Sequence, residues 1–135
     1  MTAIDTNILL YACDTTAGKR HDIAKELIAK TDDGVLLWQV ACEFVAASRK
    51  LRDKGLSVDS AWNLPQSFRS VFPLVLPTAR VLVLGREINL DRQVSCWDTM
   101  ILADCLDAGI TTLISEDTSA NATGLEVSIV NPFVQ

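Results

Sequence analysis

The chain has 135 residues, 49% apolar and 21% charged, with a formal net charge of −5. That length fits one domain over residues 1–135 with a sizeable core, and the composition excludes a disordered chain. No apolar run reaches the roughly 18 residues a membrane span needs, and the acidic balance argues against a simple basic-patch binder of nucleic acid.

The opening Met1-Thr2-Ala3-Ile4-Asp5 lacks the basic and apolar regions of a signal peptide, so a cytoplasmic location is expected. Thr2–Ile4 reads as a short strand ending at Asp5, with a helix starting near Asn7. Lys19–Lys30 is amphipathic, with Ile23, Leu27 and Ile28 on one face. Gly34–Leu37 reads as a second strand. Gln39–Lys54 is predicted as one helix, with Val40, Phe44, Ala47 and Leu51 at helical spacing and Gly55 as its stop. Ser57–Phe68 is a weaker helix capped by Ser57 or Asp59. Val71–Leu76 reads as a strand that Pro73 confines to an edge or a break in pairing. Helices over Ala79–Asn89 and Trp97–Ala108, the latter ending at Gly109, precede strands at Thr112–Ser115 and Val127–Val130. Strands alternating with helices imply an α/β fold, a parallel sheet of four to five strands with helices on both faces. In such folds the functional crevice lies beyond the carboxyl ends of the strands.

The four cysteines form no C-x-x-C pair and His21 is the single histidine, so a zinc site is not expected. Cys42, Cys96 and Cys105 sit among apolar residues and read as small core side chains, and His21 reads as a surface residue. The mean hydropathy of +0.24 fits either a large core or apolar surface reserved for a partner.

The acids near strand ends carry the chemistry. Asp5 follows the first strand, Asp117 follows the strand ending at Ser115, and Asp98 lies in the first turn of its helix. Glu43 shares the core-facing side of its helix with Val40 and Ala47, where an unpaired carboxylate would cost several kcal/mol or take a proton. Each has a structural reading too. Asp5 fits a helix cap, Asp98 a capping box with Ser95, Asp117 an Asx-turn, and Glu43 a pair with a core-facing arginine. Together, brought to one sheet edge, they would repel by roughly 4 kcal/mol per pair at about 4 Å and an effective dielectric near 20. Without a histidine or an adjacent lysine, a hard cation such as magnesium or manganese is the best partner for such a cluster. An enzyme that holds cations this way is acidic by count yet neutralised when loaded.

The blocks Asp5-Thr6-Asn7-Ile8-Leu9, Gln39-Val40-Ala41-Cys42-Glu43-Phe44, Ser95-Cys96-Trp97-Asp98, Ser115-Glu116-Asp117 and Ile129-Val130-Asn131-Pro132-Phe133 resemble PIN domains, especially VapC-type toxins. The resemblance covers essentially the whole chain. It implies a Rossmann-like fold with Asp5, Glu43, Asp98 and Asp117 as catalytic metal ligands and Thr6, Asn7 and Ser115 as supporting groups. It also implies magnesium- or manganese-dependent cleavage of RNA, a homodimer, and a cognate antitoxin partner from the neighbouring gene. The chain departs from the family at Thr118-Ser119-Ala120-Asn121, where Met-Gln and then glycine are frequent and Asn121 stands in for the glycine. It also departs at Asp104, where small apolar residues are usual; six residues past Asp98, it reads as off the metal face and solvated or salt-bridged.

Three other readings compete. A haloacid-dehalogenase-like phosphatase needs an Asp where Asn7 stands. A receiver domain needs a late lysine, and no lysine follows Lys54. A PIN-like module that binds nucleic acid or a partner without cutting is disfavoured by the intact acid set. The cations Arg49, Lys50, Arg52 and Lys54 at one helix end serve dipole compensation or phosphate contacts equally well. Finally, Pro65 after Trp62 is expected to break the Ser57–Phe68 helix and leave an aromatic groove on which an antitoxin segment docks.

Overall fold

A computed structural model describes residues 1–117 and 124–134. Five parallel strands lie in the order β3-β2-β1-β4-β5: β1 is Thr2–Ile4, β2 Gly34–Leu37, β3 Leu74–Val75, β4 Thr112–Ile114 and β5 Ser128–Val130. Neighbouring residues Ala3 and Ile4 are both buried, as are Leu113 and Ile114. Successive strand residues point to opposite faces, so both faces of the central strands are covered, as a parallel sheet requires.

The coverage comes from helices α1 (Thr6–Cys13), α2 (Lys19–Lys30), α3 (Trp38–Ala47), α4 (Val58–Val71), α5 (Arg80–Asp91) and α6 (Cys96–Ala108). Helix α1 packs on α2 and α3, and α5 packs on α6. Val40 and Phe44 of α3 are fully buried, and the Phe44 ring meets Phe68 of α4 edge-to-face at 5.9 Å.

Several expectations shift in detail. The helix predicted over Gln39–Lys54 is α3 followed by a 3₁₀ segment, Ser48–Lys54, which ends at Gly55 with φ +96°. Left-handed backbone at that point favours glycine, and the same holds for Gly109 (φ +71°) after α6. Pro65 does not end its helix: α4 runs through it to Val71. The proline forfeits one backbone bond, but its ring is buried and Phe68, beyond it, anchors the next turn against Phe44. Because α4 extends to Val71, β3 shrinks to two residues, at the sheet edge as Pro73 suggested.

The strand order reverses at β1. The chain moves outward from β1 through β2 to β3, then returns to place β4 on the other side of β1. Thr2, Ala3 and Ile4 stand opposite Thr112, Leu113 and Ile114. The crevice at the carboxyl ends of these two strands is therefore the switch point where ligands of such folds bind. The residues that follow them directly are Asp5 and Ser115.

Candidate active site

Asp5 ends β1 and caps α1. One carboxylate oxygen accepts from the Thr6 N–H at 2.7 Å, and the other accepts from the Ser115 hydroxyl at 2.7 Å. Its backbone N–H donates to the Ile114 carbonyl at 2.9 Å, which locks it to the end of β4. The buried Ser115 oxygen in turn accepts from the Asp117 N–H at 3.0 Å. On the other side, the Thr6 hydroxyl donates to Glu43 Oε2 at 3.0 Å, and Gln39 Nε2 donates to Glu43 Oε1 at 2.9 Å. The Gln39 amide also reaches the Trp97 carbonyl at 3.1 Å. Ser95 caps α6 by accepting from the Asp98 N–H at 3.2 Å. A relay of short polar contacts and neighbouring residues thus runs from Asp117 through Ser115, Asp5, Thr6, Glu43 and Gln39 to the Trp97-Asp98 turn.

The electrostatics follow from this crowding. Burial pushes the Asp5 carboxyl above the usual range, and the negative charges of Glu43 and Asp98 push it the same way. The hydrogen bonds from Ser115 and Thr6 pull it back down. Among the described residues no lysine or arginine pairs with Asp5, Glu43 or Asp98. The donors that hold Asp5 and Glu43 are all neutral, and the ligating atoms offered are all oxygen.

The loop carrying Asp117 is held from behind by its neighbour. The Glu116 carboxylate accepts from the Tyr11 hydroxyl at 2.6 Å and from Arg20 at 2.9 Å. Its N–H donates to Asn7 Oδ1 at 3.4 Å, and its carbonyl accepts from the Asn131 side chain at 3.3 Å. Arg20 also lies over the rings of Tyr11 and Phe133. Asn7 therefore steadies the Ser115–Asp117 turn.

The PIN domain profile matches residues 2–124. The chain belongs to the PIN domain family. No curated protein matches it in sequence. Among solved structures, a toxin–antitoxin complex from Klebsiella pneumoniae is 19% identical with a TM-score of 0.70, covering 98% of each chain. FitAcB from Neisseria gonorrhoeae is 16% identical with a TM-score of 0.72, covering 98% of this chain and 99% of its own. Mycobacterium tuberculosis VapC20, a toxin that cleaves the sarcin–ricin loop, is 21% identical with a TM-score of 0.71, covering 94% and 98%. At these identities the likeness is one of fold.

PIN domains are in general divalent-metal dependent. Among the described residues no group of three acidic, histidine or cysteine side chains forms a ready-made metal cage in this PIN domain. Magnesium, however, keeps several of its own waters and needs only one or two direct carboxylates. An all-oxygen site in which Asp5, raised by burial and by the charges of Glu43 and Asp98, meets no described lysine or arginine fits such an ion.

Other expectations are corrected here. Asp104 is neither solvated nor salt-bridged: it is 8% exposed, and its Oδ1 has no hydrogen-bond partner. Residues Ile101 to Cys105 are all buried, because this part of α6 is enclosed on every side rather than along one stripe. Burial, reinforced by the charge of Asp107, pushes the Asp104 carboxyl up to about 6. Cys42 and Cys96 are exposed, not core. Cys42 lies two positions from Val40 and Phe44, so helical geometry turns it outward, and Cys96 opens α6 at its free end. Cys105 is buried as expected. His21 is half-buried, with its ring nitrogen 2.9 Å from the Tyr11 carbonyl. The substitutions at Thr118–Asn121 lie outside the described residues. Gln39, Trp97 and Glu116 went unassigned from sequence. The four-residue spacing of Gln39 and Glu43 was the available signal for the first, and an aromatic directly before Asp98 for the second.

Proposed function

We propose that this chain is a cytoplasmic endoribonuclease, dependent on magnesium or manganese, and the toxin of a type II toxin–antitoxin pair. The observation that carries the reading is the relay that gathers Asp5, Glu43 and the turns bearing Asp98 and Asp117 at the sheet's switch point, with no lysine or arginine paired to Asp5, Glu43 or Asp98 among the described residues. Asp5, Glu43, Asp98 and Asp117 would hold the metal. Ser115 and the Thr6 amide fix the two oxygens of Asp5, and the Thr6 hydroxyl and Gln39 fix those of Glu43, so neither carboxylate rotates away when charged. A bound magnesium or manganese ion supplies an activated water and neutralises charge on the phosphodiester.

The decisive experiment incubates the purified chain with cellular RNA in magnesium, in EDTA, and as Asp5→Asn, and maps new RNA ends by sequencing. Cleavage in magnesium alone is expected. Cleavage in EDTA, or by Asp5→Asn, would send the assignment elsewhere.

The partner reading rests on the surface. Trp62 is 63% exposed and joins Trp38, Ala41, Cys42, Val45 and Pro65 around an apolar groove of about 440 Å³. We assign this groove to an amphipathic segment of the antitoxin, with the tryptophans as anchors. Cys42 and Ala46 also line the adjoining hollow at Glu43, so a segment seated in the groove reaches the acids by continuing along α3. Trp62→Ala is expected to weaken antitoxin binding by about 2 kcal/mol or more in calorimetric titration, with RNA cleavage by the free chain near normal. Unchanged affinity would move Trp62 to the contact of a homodimer, the assembly the resemblance implies.

A further inference from the structure

Trp97 is 67% exposed, although it immediately precedes Asp98 and its carbonyl is tied to Glu43 through Gln39. Its side chain forms one wall of a hollow of about 640 Å³, whose other walls include Thr6, Gln39, Cys42, Glu43 and Ala47. This hollow has no lysine or arginine among its described lining and carries a carboxylate at Glu43. It therefore offers a phosphate no basic side chain and suits a flat, neutral ring.

A second hollow, of about 290 Å³, adjoins the first at Ala47, which lines both. Its walls include Asn7, Tyr11, Asp14, Lys50 and Lys54. Lys54 is engaged by Asp14 at 3.0 Å, whereas Lys50 has no ion pair among the described residues. The consecutive residues Thr6 and Asn7, directly after Asp5, line one hollow each. The first turn of α1 thus joins an aromatic hollow that carries Glu43 to a hollow that offers a lysine.

We infer that the Trp97 hollow is a nucleobase subsite: an unpaired base stacks on the indole while the strand's backbone crosses the acids toward Lys50. The inference rests on the ribonuclease reading and assigns the base contact at that site to Trp97. An aromatic face, a carboxylate and a lysine in adjoining hollows answer to the base, the reacting phosphate and the next phosphate of a strand. A base inside a duplex has both faces stacked on its neighbours and none to offer the indole. Stacking on an exposed aromatic tolerates any base, so the subsite selects strandedness more than sequence.

The test titrates a fluorescently labelled mixed-sequence 12-nucleotide RNA, alone and annealed to its complement, against wild type, Trp97→Ala, Trp97→Phe and Lys50→Gln. Calcium replaces magnesium, and probe length is checked afterwards. Trp97→Ala should weaken single-strand binding about tenfold, the loss of one stacked base. It should leave duplex binding unchanged, and Trp97→Phe should recover most of the loss. Quenching of tryptophan emission by RNA should vanish in Trp97→Phe. Lys50→Gln should lower the slope of log affinity against log salt by about one. Because Trp97 is exposed, melting temperatures should stay at the wild-type value.

If Trp97→Ala binds single strands like wild type while wild type cleaves RNA in magnesium, the subsite is overturned and the ribonuclease reading stands. If wild type neither binds nor cleaves RNA, both fall. If Trp97→Ala keeps its RNA affinity but loses that for co-expressed antitoxin, the hollow belongs to a protein segment and the inference is overturned.

Discussion

Asp5 and Asp104 are both acids whose protons burial helps to retain, yet their surroundings differ. Asp5 stands at the open end of the sheet, with both oxygens hydrogen-bonded and Glu43 and Asp98 near enough to act on its charge. Asp104 is enclosed in α6, one oxygen has no partner, and Asp107 is the charge acting on it. Buried Cys105 senses both acids, its thiol pushed up to about 12 by burial first, then by Asp104 and Asp5. The difference separates two meanings of a buried carboxylate. One whose oxygens are fixed by neutral donors is pre-organised to receive a cation. One left partly unsatisfied has no such support and lowers stability.

The largest test of that contrast compares Asp5→Asn with Asp104→Asn. Asp5→Asn should lower RNA cleavage about 100-fold or more if Asp5 holds the metal as proposed. Its melting temperature in chelator should match or slightly exceed wild type, since a buried charge and its repulsion by Glu43 and Asp98 disappear. Asp104→Asn should cleave normally. A strongly lowered melting temperature for Asp5→Asn with activity retained would make Asp5 a structural cap only.

Metal addition sharpens the same comparison. An ion that binds only the folded site stabilises it by about 2.7 kcal/mol at a hundredfold excess over its dissociation constant. Magnesium should therefore raise the melting temperature of wild type and of Asp104→Asn, and EDTA should reverse the rise. Asp5→Asn should show little response. An equal magnesium shift in all three proteins would place the ion elsewhere.

The two acids also differed in how far the sequence could disclose them. Asp5 was legible because it follows an apolar strand directly, and strand ends in an alternating β/α chain converge on one edge. Glu43 was legible because a carboxylate on the core-facing side of a helix demands a partner. Which partner was not, because the Thr6 hydroxyl lies 37 positions away and meets Glu43 only after α1 packs on α3. The Gln39 link to Trp97 is longer-range still, at 58 positions. Asp104 was misread because periodicity on α6 presumes one wet face, and the packing of α5 removes it. Pro65 was misread for a related reason: tertiary burial of its ring and of Phe68 outweighs the local cost of a proline inside a helix.

The smallest expected effect, and the one that isolates Asp104, is a pH dependence of stability. Its carboxyl is raised from 3.8 to about 6 in the folded protein, so folding favours the protonated acid. That contribution is fully present below about pH 4, where the carboxyl is protonated folded or unfolded, and is lost as pH rises through about 6. Above that the folded protein must hold a charged carboxylate with one unpartnered oxygen. At one pKa unit per about 1.4 kcal/mol, and discounted for partial solvent access, the loss is about 1–2 kcal/mol by pH 8. Asp104→Ala removes the titrating group and leaves a modest void. Melting curves in chelator from pH 4.5 to 8 should therefore show Asp104→Ala gaining on wild type as pH rises toward about 6, with the difference levelling off above about pH 7. Parallel curves would mean that water or a structural shift satisfies Asp104, and the contrast with Asp5 would then lose its energetic half while the geometry of the acidic site remained.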